Sequence, residues 1–294
     1  MDNRQSAGGT VAKIILSFDD ARQDQYIAAR KFLTPLRMPA VFNITSGFID
    51  GEKINADIKA LPMTWKQVRW LSAQDQFEVA VHGHSHTNVM EDLLRCRDRI
   101  YEELGLTKES MIGMASPGSG LSMEMIDRDW RLYQEKGFSY IRTGALYRNF
   151  RSGDAFASRM ETKSRIFCRK CANATGSPGL YGLAYSRNIQ SPAEIFPRRN
   201  SFGQYCAVPV MGYVSAEQVC GLVDRTIRKK GVCTLMFHSI AMEEDSTEDV
   251  WSWNCDRFRR LVHYLNRKAA ARCLEVITPA MLAKRMITAC IREN

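Results

Sequence analysis

Short apolar runs and amphipathic stretches alternate along most of the 294 residues. VAKIILSF at 11–18 is an apolar, β-rich run that ends on two aspartates. A helical stretch over 21–34 stops near Pro35, and strands are expected at 40–45, 77–83, 111–116 and 138–144. Between them 64–73, 88–105 and 122–136 carry helical periodicity, and Gly137 suits the position just past a helix end. The rhythm resumes with strands at 206–213, 232–240 and 273–278 and helices at 216–230 and 255–270. Pro279 fits the first turn of a last helix. Continuous apolar strands separated by helices imply a parallel sheet covered on both faces. The number of units favours an α/β barrel over an open sheet. Residues 146–205 break the pattern. They are rich in Arg, Ser, Gly and Asn, lack strong periodicity, and read as an insertion in one strand–helix loop of a single domain, 1–294.

Composition narrows the class. With 45% hydrophobic and 25% charged residues, the chain is neither disordered, collagen-like nor a disulfide mini-protein. No apolar run approaches the roughly 18 residues of a membrane helix, so no membrane segment is expected. The start, MDNRQSAGGT, lacks a signal-peptide core. The expectation is a cytoplasmic protein as written, extracytoplasmic if a signal was trimmed. The net charge of +9 comes from scattered residues, densest at Arg225 to Lys230 and Arg257 to Arg260. No stacking-plus-basic motif accompanies them, and no nucleic-acid partner is expected. The nine cysteines read mostly as buried thiols, Cys233 and Cys290 among them. Cys168 and Cys171, in CRKC, read first as plain thiols, the alternatives being a disulfide or a zinc site with Cys206 as third ligand. A structural zinc usually takes four ligands, and no second such pair exists. Nothing bears on oligomeric state.

Polar residues that ill suit buried strands recur at the strands' C-terminal ends. Asp19 and Asp20 end the first strand, and His82, His84 and His86 the third. Pro117-Gly118 follows the fourth, Arg142 lies late in the fifth, and His238 ends the seventh. Parallel α/β folds place active sites at that face. Four of the five histidines fall in this set. Three imidazoles within five positions are costly to bury together without a shared cation. Two histidines and one carboxylate form a ligand set that leaves coordination positions open. One divalent ion is expected: zinc first, with cobalt, nickel, iron or manganese accepted by similar donors. Of the adjacent acids, one can bind the metal while the other faces substrate as a general base. His238 is a core histidine or, at this face, a general acid. Spacing alone does not choose among the three clustered histidines.

These residues, in this order, resemble the NodB-homology polysaccharide deacetylases, carbohydrate esterase family four. SFDD at 17–20, EVAVHGHSHTN at 78–88 and LMFHSI at 235–240 carry the resemblance, which spans about 11–280 and leaves the insert unmatched. It implies an irregular (β/α) barrel of about seven strands with a loop insertion. It implies removal of acetyl groups, N-acetyl more than O-acetyl, from an acetylated saccharide. It assigns Asp19 as base, Asp20, His82 and His86 as metal ligands, and His238 as acid; His84 falls at a variable position, beside the ligands or lining the pocket. Two departures stand out. Ala115 occupies the third motif's arginine position, and by analogy with some relatives Arg142, in YIRTG, supplies the missing guanidinium. The fourth motif, an Asp/Trp pair, has no clear counterpart; Asp129-Trp130 lies mid-helix and reads as surface and packing. Two other readings stay open: a cyclic amide or ureide hydrolase of the same fold, and a non-catalytic carbohydrate-binding relative. Backbone amides near Pro117 to Ser119 are candidate oxyanion donors.

Overall fold

Seven parallel strands close into a barrel, seen in a computed structural model that describes residues 11–107, 109–144, 156–196, 202–242 and 249–292. Among the described residues the strands are β1 (Ala12–Asp19), β2 (Ala40–Ile44), β3 (Phe77–Val81), β4 (Ile112–Ala115), β5 (Phe138–Thr143), β6 (Ile189–Gln190), β7 (Gly203–Pro209), β8 (Val232–Phe237), β9 (Ser239–Ala241), β10 (Ser252–Asn254) and β11 (Leu274–Val276). The helices are α1 (Gln23–Ala28), α2 (Ser46–Ile49), α3 (Trp65–Ser72), α4 (Met90–Leu104), α5 (Met123–Glu135), α6 (Phe156–Thr175), α7 (Pro178–Ala184), α8 (Pro192–Ile195), α9 (Ala216–Lys229), α10 (Cys255–Ala270) and α11 (Pro279–Arg292). Around the barrel the order is β1-β2-β3-β4-β5-β7-β8, and β8 pairs back onto β1. The closure is irregular. β1 joins β2 only at Ser17 to Asp19, while its start, Ala12 to Ile14, pairs with β11.

Period-two alternation sorts each strand into two layers. Ile14, Leu16 and Phe18 join the large core under the helices; Ile15 joins a smaller cluster with Val41, Ala80, Tyr140 and Tyr205 that fills the barrel interior. Ser17 and Asp19, Asn43, His82 and Arg142 continue that inner set towards the C-terminal mouth, and all are buried. Below them the Tyr140 ring lies where a Gly113 Cβ would stand, 1.9 Å from the ring carbon that carries the hydroxyl. The missing side chain lets the Tyr140 hydroxyl cross β4 and donate to Glu78 Oε1 at 2.7 Å.

The expected strands and helices recur with shifted ends. The helix expected over 21–34 is α1 continued by a π-helical turn, Ala29–Leu33, and a 3-10 turn, Thr34–Leu36. The strand expected over 232–240 stops at Phe237, and beyond His238 the chain pairs as β9 with β10. The 146–205 segment, read as unpatterned, contains α6, α7, β6 and α8 within its described part. Among its described side chains Ile166, Cys168 and Ala172 of α6 reach the core. α7 crosses α9 closely where Gly182 meets Gly221: a Cβ on Gly182 would lie 3.2 Å from the Gly221 carbonyl oxygen. Cys168 and Cys171 are half-buried free thiols one turn apart on α6, while Cys206 is buried on β7 and donates to Gln190 Oε1. The Cys290 side chain lies outside the described residues. No described helix is long and apolar enough to cross a membrane.

Candidate active site

The turn after β1 is strained. Asp20 and Ala21 both have positive φ, 82° and 64°, and His86 across the mouth has 60°. Such conformations cost non-glycine residues on the order of 1–3 kcal/mol each and persist where the surroundings enforce them. The turn opens onto a cleft of about 230 Å³, lined by Asp19, Asp20, His82, His86, His238 and Trp251 among others.

Asp20, His82 and His86 converge there. Among the described residues they are the one group of three whose ligand atoms lie within 4.8 Å of one another. Both Nε2 atoms stand 3.5 Å from Asp20 Oδ1. That oxygen is buried and has no hydrogen-bond partner among the described residues, whereas Oδ2 accepts from Arg22 Nε and Nη2 at 3.0 and 2.8 Å. A buried carboxylate oxygen left without a donor is costly, and a cation between it and two imidazoles relieves that cost. His82 Nδ1 is 2.9 Å from the Ala115 carbonyl oxygen, the contact that fixes a ligating ring and leaves Nε2 to a metal. Burial and the neighbouring His82 push His86 down to about 4, so its ring is neutral at ordinary pH. Burial opposes a charge on His82, but the Asp19 and Asp20 carboxylates outweigh it and raise its pKa. Two imidazoles and one carboxylate oxygen fit a single divalent cation.

His84 points elsewhere. Its ring meets Ser46 Oγ at 2.8 Å and Glu52 Oε2 at 3.0 Å, and its backbone carbonyl accepts from the Gly47 amide. It ties the chain around α2 to the β3 end and does not line the cleft.

Asp19 lies beside the three. Arg142 Nη2 donates to its Oδ2 at 2.6 Å and Asn43 Nδ2 to its Oδ1 at 2.7 Å. Burial disfavours its charge, yet Arg142, His82 and His238 together hold its pKa below the usual carboxylate range. Arg142 sits opposite Ala115 in the β4–β5 register, so its guanidinium enters the interior beside the position where the resembling family carries arginine. Tyr140 shares that inner side, and Ile141 faces the helices. The contact is a single hydrogen bond and not a fork, because Nη1 turns to Met236 Sδ.

His238 faces the cleft across from the histidine pair. Its ring packs on Trp251, centroids 4.4 Å apart at 50°, and burial lowers its pKa. Asp249 accepts from Arg22 Nη1 at 3.1 Å. Trp251 therefore takes the place of the tryptophan that the sequence left unassigned, whereas Asp249 reaches Arg22 and not His238, whose Nδ1 has no hydrogen-bond partner among the described residues. Asp129 instead pairs with Arg128 at the surface of α5, and Trp130 leans on Phe202. Gln25 clamps the turn by donating to the carbonyl oxygens of Asp19 and His238. Arg22, Asn43, Asp249 and Trp251 were all missed by sequence reasoning. The signal available was a polar Asn inside AVFNI, a strand buried throughout. Of the candidate oxyanion amides, Ser119 and Gly120 are spent inside their turn on the Ser116 and Pro117 carbonyls.

The family model described as polysaccharide deacetylase matches residues 8–117, which include Asp19, Asp20, His82 and His86 but neither Arg142 nor His238. No curated protein sequence matches the chain. Among solved structures, a putative polysaccharide deacetylase from Mycobacterium smegmatis is similar at 13% identity, over 96% of this chain and 92% of that one, with a TM-score of 0.51. A 4-alpha-glucanotransferase from Thermococcus litoralis shares the barrel at 11% identity, over 93% of this chain and 40% of that one, with a TM-score of 0.50. The match to the BpsB deacetylase domain from Bordetella bronchiseptica is 20% identical, covers 45% of this chain and 63% of that one, under two thirds of its length, and has a TM-score of 0.36. The Mycobacterium smegmatis and Thermococcus litoralis likenesses speak for the barrel, and the residues matched by the family model hold the Asp19-Asp20 and His82–His86 segments at its mouth. Residues 8–117 thus match the polysaccharide deacetylase family model, and the chain as a whole shares the barrel of these two structural neighbours.

Proposed function

We propose that the protein removes acetyl groups, N-acetyl in preference to O-acetyl, from a saccharide, using one divalent cation held by Asp20, His82 and His86. The observation that carries this reading is the placement of Asp19: an ionised carboxylate, pinned by Arg142 and Asn43, directly beside that ligand set. The cation, when bound, supplies Lewis-acid polarisation of the acyl carbonyl. Zinc is the first expectation, because this donor set leaves coordination positions open for substrate.

Asp19 receives the proton of the attacking water. Each of its oxygens accepts one hydrogen bond and keeps a further lone pair for that proton. His238 protonates the leaving nitrogen. Burial lowers its pKa, so the protonated ring is a ready donor. Trp251 holds the ring against the cleft wall and excludes water from that side.

The test is release of acetate from a panel of N- and O-acetylated glycans by zinc-loaded protein, with cyclic ureides as the contrasting set. Acetate from an N-acetylated glycan is expected. Turnover of ureides without acetate release would transfer the site to ring-opening chemistry.

Arg142 gives a second test. While the guanidinium is present, Asp19 stays ionised below the usual carboxylate range, so activity should persist on moderate acidification. In Arg142→Met the largest of the opposing charges is gone, burial is countered only by His82 and His238, and the Asp19 pKa rises. The acid limb of kcat/KM should move to higher pH, and kcat should fall on the order of 10-fold or more, part of the 10²–10⁴ a placed proton-transfer group supplies. An unmoved acid limb would detach Arg142 from the base. Arg142→Lys, which keeps the charge and one donor, should suffer less.

A further inference from the structure

Arg22 is buried and sits within the strained turn, two residues beyond Asp20. It makes two hydrogen bonds to one oxygen of that aspartate, Oδ2, and none to the other. The outer side of the guanidinium is anchored independently: Nη1 donates to Ser239 Oγ at 2.9 Å and to Asp249 Oδ2 at 3.1 Å. The side chain is therefore fixed from both ends, by the β1 turn on one side and by β9 and the 249–251 segment on the other. Asp20 is left with one usable oxygen, and that oxygen is the partnerless one that faces His82 and His86.

A carboxylate can meet a cation through one oxygen or through both. Larger, oxygen-preferring ions such as manganese and calcium take six or more ligands and gain from the second oxygen. Zinc is content with four. From these contacts we infer that Arg22 is a specificity-determining positioning residue: by occupying Oδ2 it restricts Asp20 to a single-oxygen ligand and biases the site towards zinc-like ions against manganese-like ones. The inference rests on the Asp20–His82–His86 reading of the metal site. It explains why this turn carries an arginine: a lysine can hold one oxygen, but only a planar fork can hold it while also bridging to Ser239 and Asp249.

The experiment measures zinc and manganese dissociation constants by calorimetry on metal-stripped protein, with no substrate present. Wild type should bind one equivalent of zinc, with a manganese-to-zinc ratio of dissociation constants that falls at least about 10-fold in Arg22→Met. Arg22→Leu, which likewise has no donor for Oδ2, makes the same comparison if the methionine variant does not fold. Arg22→Lys, which keeps a donor for Oδ2, should lie nearer to wild type than to Arg22→Met. A ratio unchanged within about 2-fold in a folded, zinc-binding Met or Leu variant overturns the inference and leaves the metal site standing. A lysine variant indistinguishable from Arg22→Met overturns it as well. Absence of binding in the wild type itself removes the metal site and the inference together.

Discussion

Asp19→Asn is expected to lose deacetylation activity by about 10²-fold or more while keeping its metal, since a positioned proton-transfer group is worth roughly 10²–10⁴ in rate. The substitution keeps the shape and the Asn43 contact but removes the proton acceptor. It also strands a cation. Arg142 is buried, and its recorded carboxylate partner is Asp19. Removing one member of a buried pair typically costs about 3–5 kcal/mol. The variant should therefore melt at a lower temperature as well, and Asp19→Asn combined with Arg142→Met should recover part of that loss without recovering turnover. Metal stoichiometry, kcat and a melting curve on the same preparation separate the effects. Near-normal turnover in folded Asp19→Asn would remove Asp19 from the mechanism.

His82→Ala and His86→Ala should each abolish stoichiometric binding of a divalent ion, and activity with it. Each removes one of only two imidazoles that face Asp20 Oδ1. His84→Ala should leave the stoichiometry at one per chain and at most weaken affinity, because that ring bonds to Ser46 and Glu52 away from the cleft. Metal analysis of the three purified variants is decisive. Loss of metal in His84→Ala with retention in His82→Ala would shift the whole motif by two residues.

The barrel was legible because its strands are short, apolar and evenly spaced, and because buried chemistry interrupts that apolar pattern. Asp19-Asp20, the histidine cluster and His238 stand out as polar residues where a strand should end apolar. Arg142 stood out by the same contrast, but its pairing with the base came from the family resemblance and not from the residues alone. What was hidden depends on contacts between distant segments. Asp249 and Trp251 sit in no periodic element, and only the pairing of β9 with β10 brings Trp251 onto His238. Arg22 looks like a surface residue opening a helix, and its burial follows from a turn with two positive φ angles that no glycine announces. The α6 helix was not legible because the 146–205 stretch lacks strong periodicity.

The aromatic layer under the site bears on traffic. Tyr140 and Tyr205 lean together inside the barrel, centroids 5.4 Å apart, and Tyr140 runs on through the gap at Gly113 to Glu78. Among the described residues the interior below Asp19 and Arg142 is thus filled, and the mouth serves as both entrance and exit. Two products formed at the proposed site would leave by one door, so whichever lies deeper waits for the other. A small acid released at the bottom of the cleft would queue behind a glycan lying across its opening, and turnover could then be paced by departure of the sugar chain rather than by bond cleavage.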